Sequence, residues 1–440
     1  MTTGPGLRGR GREPGPSSRV KTAVVESGRV RGDRALEETT LANGIRVLSE
    51  PISGVRSAAV GVWVRRGSAH EAAGDHGTSH LLEHMVFKRT RKRTAAEIAN
   101  ALEGLGGSLD AYTSREHTSY QARVLDEHVP EALDVLADLV LHPLLRQDDL
   151  ALEREVVLEE IAQVEDTPDD LVFELHAQRL WDGHPYGRSI LGTSESVSST
   201  TSERLQELHA EHYVGGNLIV AAAGHIDHEH IVEWVAELFG GAASGQPSGA
   251  VGAASPPRRG SERVDRDSAQ THIVFGTTGP AYGSDDRHPV ILLSAALGGG
   301  MSSRLFQRVR EELGLCYSIF TYQSFHSLAG TIGVYVGTRP ATAEQASDAV
   351  RRELARMAAQ GLSQPELERT KRQVKGQITL SLESTGARLY RLASFALHDE
   401  PFVGLDELLT KIDQVTVDDI RRVAAAYCDP EAHLELRLGP

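Results

Sequence analysis

The feature that most constrains this chain is a repeat of its own sequence at long period. Leu145-Arg-Gln-Asp-Asp-Leu150 matches Leu362-Ser-Gln-Pro-Glu-Leu367 at a spacing of 217 residues, which also carries Val157 onto Val374 and Ile161 onto Ile378. Towards the chain end the spacing drifts by a few residues, as in Tyr213 and Tyr427. A long-period repeat with one linker between its copies means a duplicated domain. Upstream of each copy the pattern reads strand, helix, short turn. The expected fold is therefore α+β, with two homologous domains, each an antiparallel-rich sheet with helices packed on it. At 440 residues the chain is long enough for two such cores.

Composition sets the boundaries. Residues 1–34 are basic and rich in Gly and Pro, and lack the apolar core of a secretory signal, so they read as a disordered tail. Residues 35–240 form the first domain and 263–440 the second. Between them, 241–262 is a Gly/Ala/Ser/Pro linker. The net charge is −15, although the tail carries eight Lys/Arg against three Asp/Glu. An acidic body disfavours nucleic acid and favours basic peptides, an expectation that equal cleavage of acidic and basic peptides at low salt would overturn. No apolar run is long enough to span a membrane. The two cysteines, Cys316 and Cys428, form no disulfide framework, which points to a reducing, cytoplasmic setting. Any metal would then use His and carboxylate ligands.

In order, Glu37–Leu41 and Ile45–Leu48 read as a hairpin around Ala42-Asn43-Gly44, and Ser57–Arg65 as a buried strand. A helix is expected over Leu81–Lys88 and another over Ala95–Gly104. Ser108–Thr113 and Thr118–Val124 alternate like strands, and Pro130–Leu141 and Leu150–Val164 have helical periodicity. Leu171–Leu180 and Thr201–Tyr213 read as further helices, and Asn217–Ala223 as the strand closing the first half.

Two of these helices carry chemistry. In His80-Leu-Leu-Glu83-His84 the two imidazoles lie one turn apart on one helix face, with a carboxylate beside them. Such a pair can hold Zn²⁺, and the carboxylate can take a proton from an attacking water. The bland alternative is two solvent-facing histidines. On Leu150–Val164, a turn of about 100° per residue places Glu153 and Glu160 inside the apolar arc of Leu152, Val156, Val157, Ile161 and Val164. A carboxylate in a core is costly unless it pairs with a cation or binds metal. The repeat separates these options. At the same spacing Glu160 becomes Gln377, Glu153 becomes Thr370, and His80–His84 falls on Leu297–Met301. The apolar positions persist without the polar ones, so the fold does not require them.

These motifs resemble the pitrilysin, or insulinase-like, family of zinc metallopeptidases, the inverzincins, and within it processing-type members of similar length. The resemblance covers nearly the whole chain after the tail. It rests on H-x-x-E-H followed by a glutamate 76 residues beyond the second His, here Glu160, with another seven residues earlier, here Glu153. It implies that His80, His84 and Glu160 bind one Zn²⁺ per chain, that Glu83 is the general base, and that Glu153 orients His84. Asp110-Ala111-Tyr112-Thr113 looks like the family's peptide-binding strand, with Asp110 where Asn is usual. Arg310 and Tyr317 look like its Arg/Tyr pair, which contacts substrate from the noncatalytic domain. The resemblance implies an endopeptidase for unfolded or processing-type peptides, working as a homodimer or as a heterodimer with a related subunit. The rival, a noncatalytic subunit or scaffold, predicts broken ligands, and all four site residues are present.

Overall fold

A computed structural model of the chain describes residues 24–29, 36–254 and 256–440; for 24–29 it describes the backbone alone. The first half contains strands β1 (Val24–Arg29), β2 (Glu37–Leu41), β3 (Arg46–Pro51), β4 (Ser57–Val64), β5 (Ser108–Thr113), β6 (Thr118–Leu125) and β7 (Leu218–Gly224). Its helices are α1 (Thr78–Val86), α2 (Ala95–Glu103), α3 (Val129–Leu141), α4 (Gln147–Asp166), α5 (Pro168–Leu180), α6 (Ser194–Ser199), α7 (Ser202–His212) and α8 (His228–Phe239). The second half contains β8 (Gly260–Asp265), β9 (Thr271–Gly279), β10 (Cys316–Phe325), β11 (Gly330–Thr338) and β12 (Leu434–Gly439). Its helices are α9 (Arg287–Gly298), α10 (Ala343–Gln360), α11 (Gln364–Ser381), α12 (Thr385–Leu397), α13 (Leu405–Gln414) and α14 (Val417–Tyr427).

The duplication is visible in the sheets. The first has the order β1-β2-β3-β7-β4-β6-β5 and the second β10-β11-β9-β12-β8. Removing the β1–β2 edge leaves the same five-stranded order, including one parallel pair in each, β3 with β7 and β8 with β12. All other pairings are antiparallel.

Two boundaries and the repeat spacing depart from the sequence reading. Val24–Arg29, assigned to the disordered tail, pairs with β2, while the other residues of that tail lie outside the described residues. The linker ends earlier than expected, because Gly260 already belongs to β8. It is also tied down: Gly215 N donates to Ala243 O at 2.8 Å, and Ser248 N to Asn217 Oδ1 at 2.5 Å. Finally, the fixed spacing of 217 fails at the metal motif. It lands on the end of α9 and the glycine loop beyond, whereas the helix packed on α11, as α1 packs on α4, is α9 itself. α9 carries His288 and no second histidine, so the loss of the motif stands.

Helices cover both faces of each sheet, and one cover comes from the other half. β4 and β7 alternate: Val60, Val62, Val220 and Ala222 face the first-half core with α1 and α3. Trp63, Ile219, Ala221 and Ala223 face the opposite way, against Leu389, Leu392, Ala393 and Ala396 of α12. Reciprocally, Val172 of α5 packs on Val274, Leu436 and Leu438 of the second sheet. His176 of α5 lies so close to β9 that a Cβ at Gly276 would stand 2.3 Å from its ring. Its Nε2 bonds Leu434 O at 3.1 Å. Polar contacts follow the same seam: Arg46 pairs with Asp399 at 3.2 Å, Arg388 with Glu50 at 2.5 Å, and Ser327 N donates to Glu116 at 2.9 Å. Removing a fully buried leucine at this seam leaves a cavity beneath Trp63. Leu392→Ala should cost about 2–5 kcal/mol, and both halves should still unfold in one transition, read by Trp fluorescence and far-UV CD in urea. Two separate transitions would mean that the exchanged helices do not couple the halves.

Candidate functional site

α1 begins at Gly77, whose left-handed backbone (φ 86°) leaves no room for a side chain: a Cβ would stand 2.4 Å from Leu191 O. The helix starts three residues earlier than the sequence periodicity suggests. Its free amides are met by Glu71, which accepts from Gly77 N at 2.9 Å and Ser79 N at 2.8 Å. Sequence reasoning missed Glu71, because a cap supplied from seven residues before the helix start leaves no short-range spacing to read. Leu81, Leu82, Met85 and Val86 are buried in the first-half core, which turns the opposite face of α1 towards α4.

On that face the polar residues converge. His80 Nε2 and His84 Nε2 are 3.2 Å apart, and Glu160 Oε2 lies 3.7 Å from each. Among the described residues this is the one grouping of three or more His, Cys, Asp or Glu whose ligand atoms all lie within 4.8 Å of one another. Two imidazole nitrogens bound to one tetrahedral zinc at about 2.0–2.1 Å stand roughly 3.4 Å apart, close to the observed separation. Without a cation or a proton between them, the two lone pairs would be directed into the same small volume. The donor set therefore fits Zn²⁺ and leaves a fourth position for water or substrate.

The surroundings set the protonation states. Burial, reinforced by the neighbouring His84, pushes His80 down to about 4, which keeps it neutral and able to ligate. At His84 burial opposes the imidazolium, but the Glu153 hydrogen bond and the nearby Glu160 and Glu83 carboxylates outweigh it and raise the pKa. His84 Nδ1–H donates to Glu153 Oε1 at 3.0 Å, which fixes the ring and aims Nε2 at the cluster. Glu153 is buried and ion-paired with Lys88. Its burial disfavours charge, yet His84 and Lys88 prevail and hold it below the usual carboxylate range. His80 Nδ1, by contrast, is buried with no hydrogen-bond partner. Glu83 is raised by burial, against the hydrogen bond it accepts from Thr113 Oγ1 at 2.6 Å.

The other sequence-selected residues distribute differently. Thr113 is buried and turned to Glu83 rather than out along β5, while Asp110 is exposed and Ala111 half-buried on that edge strand. Arg310 and Tyr317 lie together in the second half, the guanidinium 5.2 Å from the ring centroid, with Tyr317 79% exposed. None of their ring contacts or ion pairs reaches the His–His–Glu cluster. The apolar arc assigned to α4 is also corrected. Leu150, Glu153, Val157 and Ile161 are buried, but Leu152 and Val156 are exposed: the buried face is centred near Val157, with Glu153 at its edge and those two beyond it.

A duplicated α+β chain with one His–His–Glu cluster, confined to its first half, is the class that fold and site define. Known proteins narrow it. The model for Insulinase (Peptidase family M16) matches residues 46–194, and that for the Peptidase M16 inactive domain matches 199–374. The chain is 38% identical over 424 residues to an uncharacterized zinc protease of Streptomyces coelicolor, spanning 93% of this chain and 91% of that protein. It is 37% identical over 391 residues to an uncharacterized zinc protease of Bacillus subtilis, spanning 88% and 95%. Its fold is similar to the crystal structure of a protease from Helicobacter pylori, with a TM-score of 0.87, 23% identity, and coverage of 92% of this chain and 100% of that one. The chain belongs to the insulinase family of peptidases, family M16.

The Glu71 cap yields a test of the scaffold. Burial pushes its carboxyl up to about 7, against the two amides that favour the charged form. Between about 4.5 and 7 the folded chain then holds this proton more firmly than the unfolded chain does, so its contribution to stability falls as pH rises through that window. Glu71→Gln should flatten that part of the profile by up to about 1.4 kcal/mol per pH unit, read from urea midpoints at pH 5 and 7. An unchanged slope would mean that Glu71 is ionised throughout.

Proposed function

We propose that the protein is a zinc-dependent endopeptidase acting on unfolded or processing-type peptides, with one Zn²⁺ per chain held by His80, His84 and Glu160. The observation that carries this reading is the convergence of those three ligand atoms beside a buried carboxylate, Glu83, in one half only. Zinc held there supplies a Lewis acid and lowers the pKa of water towards about 7. Glu83 takes the proton of the attacking water as its hydroxyl adds to the peptide carbonyl carbon. The C–N bond then breaks, and Glu83 hands the proton to the leaving amine. A pKa raised by burial suits a group that must both accept and return a proton. Thr113 holds Glu83 in position, and Glu153, backed by Lys88, holds His84.

The peptide would enter as an added strand on the outer edge of β5, the last strand of its sheet, beside Asp110 and Ala111. Arg310 and Tyr317 would serve a second copy: they lack contact with this chain's cluster, and Tyr317 is open to a partner. That favours a dimer, with the Tyr317 hydroxyl placed to hydrogen-bond the carbonyl oxygen under attack. A cytoplasmic setting is part of the proposal, supported by the two free cysteines, Cys316 and Cys428. Among the described residues no helix is long and apolar enough to cross a membrane.

The test is cleavage of a mixed, unstructured peptide library by wild type and Glu83→Gln, with zinc assayed on both. Zinc should stand near one per chain in each, and cleavage should fall by about 10²–10⁴ in the variant. Equal cleavage by the two, or wild type that takes up no zinc, would overturn the reading.

A further inference from the structure

On α4 two apolar side chains stand where the fold has no use for them. Leu152 is 69% exposed and Val156 45% exposed, while the opposite face of the helix is buried through Leu150, Val157 and Ile161. A single exposed leucine needs no explanation. These two, however, lie eight and four residues before Glu160, on the same i, i+4, i+8 ridge, so they lead along the helix surface to the cluster. The second half supplies a control. α11 buries Leu367 and Val374 where α4 buries Leu150 and Val157, but on the equivalent ridge it carries Arg369, Gln373 and Gln377. The same helix packs with polar residues there, so the apolar pair of α4, like Glu160 itself, is not required by the architecture.

The ridge has a period that matches an extended chain. Four helical residues rise about 6 Å, and two residues of an extended peptide advance about 6.6 Å and return a side chain to the same side. Val156 and Leu152 therefore lie about 6 and 12 Å from Glu160 along the helix, in step with alternate side chains of a peptide running beside it. We infer that Leu152 and Val156 form an apolar strip that receives two alternate aliphatic or aromatic side chains of the substrate, about two and four residues from the cleaved bond. The inference rests on the peptidase reading for its substrate, and it makes that reading specific for peptides that alternate apolar residues on one face. Burying each such side chain against the strip is worth a factor of about ten or more in affinity.

The second half also suggests the variant: Leu152→Arg with Val156→Gln installs residues that this helix type already tolerates. Two labelled, unstructured peptides of equal length and charge serve as probes, one with Leu and Phe at alternate positions, the other with Gln and Ser in their place. Binding is measured by anisotropy on the zinc-loaded Glu83→Gln protein, with and without the two strip substitutions, and cleavage on the same pair with Glu83 intact. Without the strip substitutions the apolar peptide should bind at least tenfold more tightly than the polar one. With them the two should bind alike, and the ratio of kcat/KM for the two peptides should collapse in parallel. An unchanged preference, or no binding of either peptide, would overturn the inference. So would light scattering that finds a dimer turned into monomer by the strip substitutions, because the strip would then belong to a subunit interface. Binding that behaves as expected without any cleavage by wild type would leave the strip standing and remove the peptidase reading instead.

Discussion

The structure depends first on an exchange. Each sheet buries one of its faces under a helix supplied by the other half, α12 on the first and α5 on the second. The part of the hydrophobic stabilisation that comes from that face of each sheet is thus available only when both halves are present. The exchange also reaches the cluster. α5 follows α4 after one residue, Thr167, with Pro168 in its first turn, where a missing amide costs nothing. The helix that carries Glu153 and Glu160 is therefore anchored at its C-terminal end by a neighbour seated on the second sheet. The half without the His–His–Glu cluster thus helps to hold the helix that carries Glu160.

Within the first half the cluster is a crossing of two helices whose key residues are 76 positions apart in sequence, His84 and Glu160. α1 presents both imidazoles because its apolar residues are committed to the core and its start is fixed by Gly77 and Glu71. α4 answers with one buried glutamate and one half-exposed glutamate. They do different work: Glu153 sets the tautomer and direction of His84, and Glu160 faces the gap between the two Nε2 atoms. Desolvation explains the division. A group in the gap must remain accessible to a ligand, whereas one that positions another side chain gains from burial, provided that a cation such as Lys88 offsets its charge.

Much of this was legible in the sequence, for physical reasons that differ between features. The duplication shows because core positions such as Val157 and Val374 face the same packing demands in both halves. Glu153 shows because a carboxylate on a buried face conflicts with burial unless something compensates it, whereas Glu160, half-exposed on the ridge of Leu152 and Val156, shows only through its spacing from H-x-x-E-H and its absence from the second copy. The helix exchange was not legible: the periodicity of Leu171–Leu180 tells that a face is buried but not against what. The exposure of Leu152 and Val156 was hidden for a related reason. A helical wheel assigns apolar residues to the core by type, and here the buried face runs through Leu150, Val157 and Ile161, which leaves Leu152 and Val156 outside it. Thr113 was placed on the right strand, but its partner, Glu83, follows only from how α1 lies over β5.

A duplicated chain carries its own control for what packing demands. Thr370 of α11 is buried at the position of Glu153, and its hydroxyl is satisfied within its own helix, bonding Glu366 O at 2.9 Å. That site accepts a small polar residue with no help from any other element. Glu153 in the same place must be desolvated as a charge, and its contacts with His84 and Lys88 offset that cost and lower its pKa. The fold accepts threonine at that position, so packing alone does not call for a carboxylate, and what Glu153 does to His84 accounts for its presence. The same comparison separates Glu160 from Gln377, which is exposed and of nearly the same shape but lacks the charge that a cation between two imidazoles would require. Where two copies of one fold share their core and differ in a connected set of costly side chains, the difference marks the chemistry.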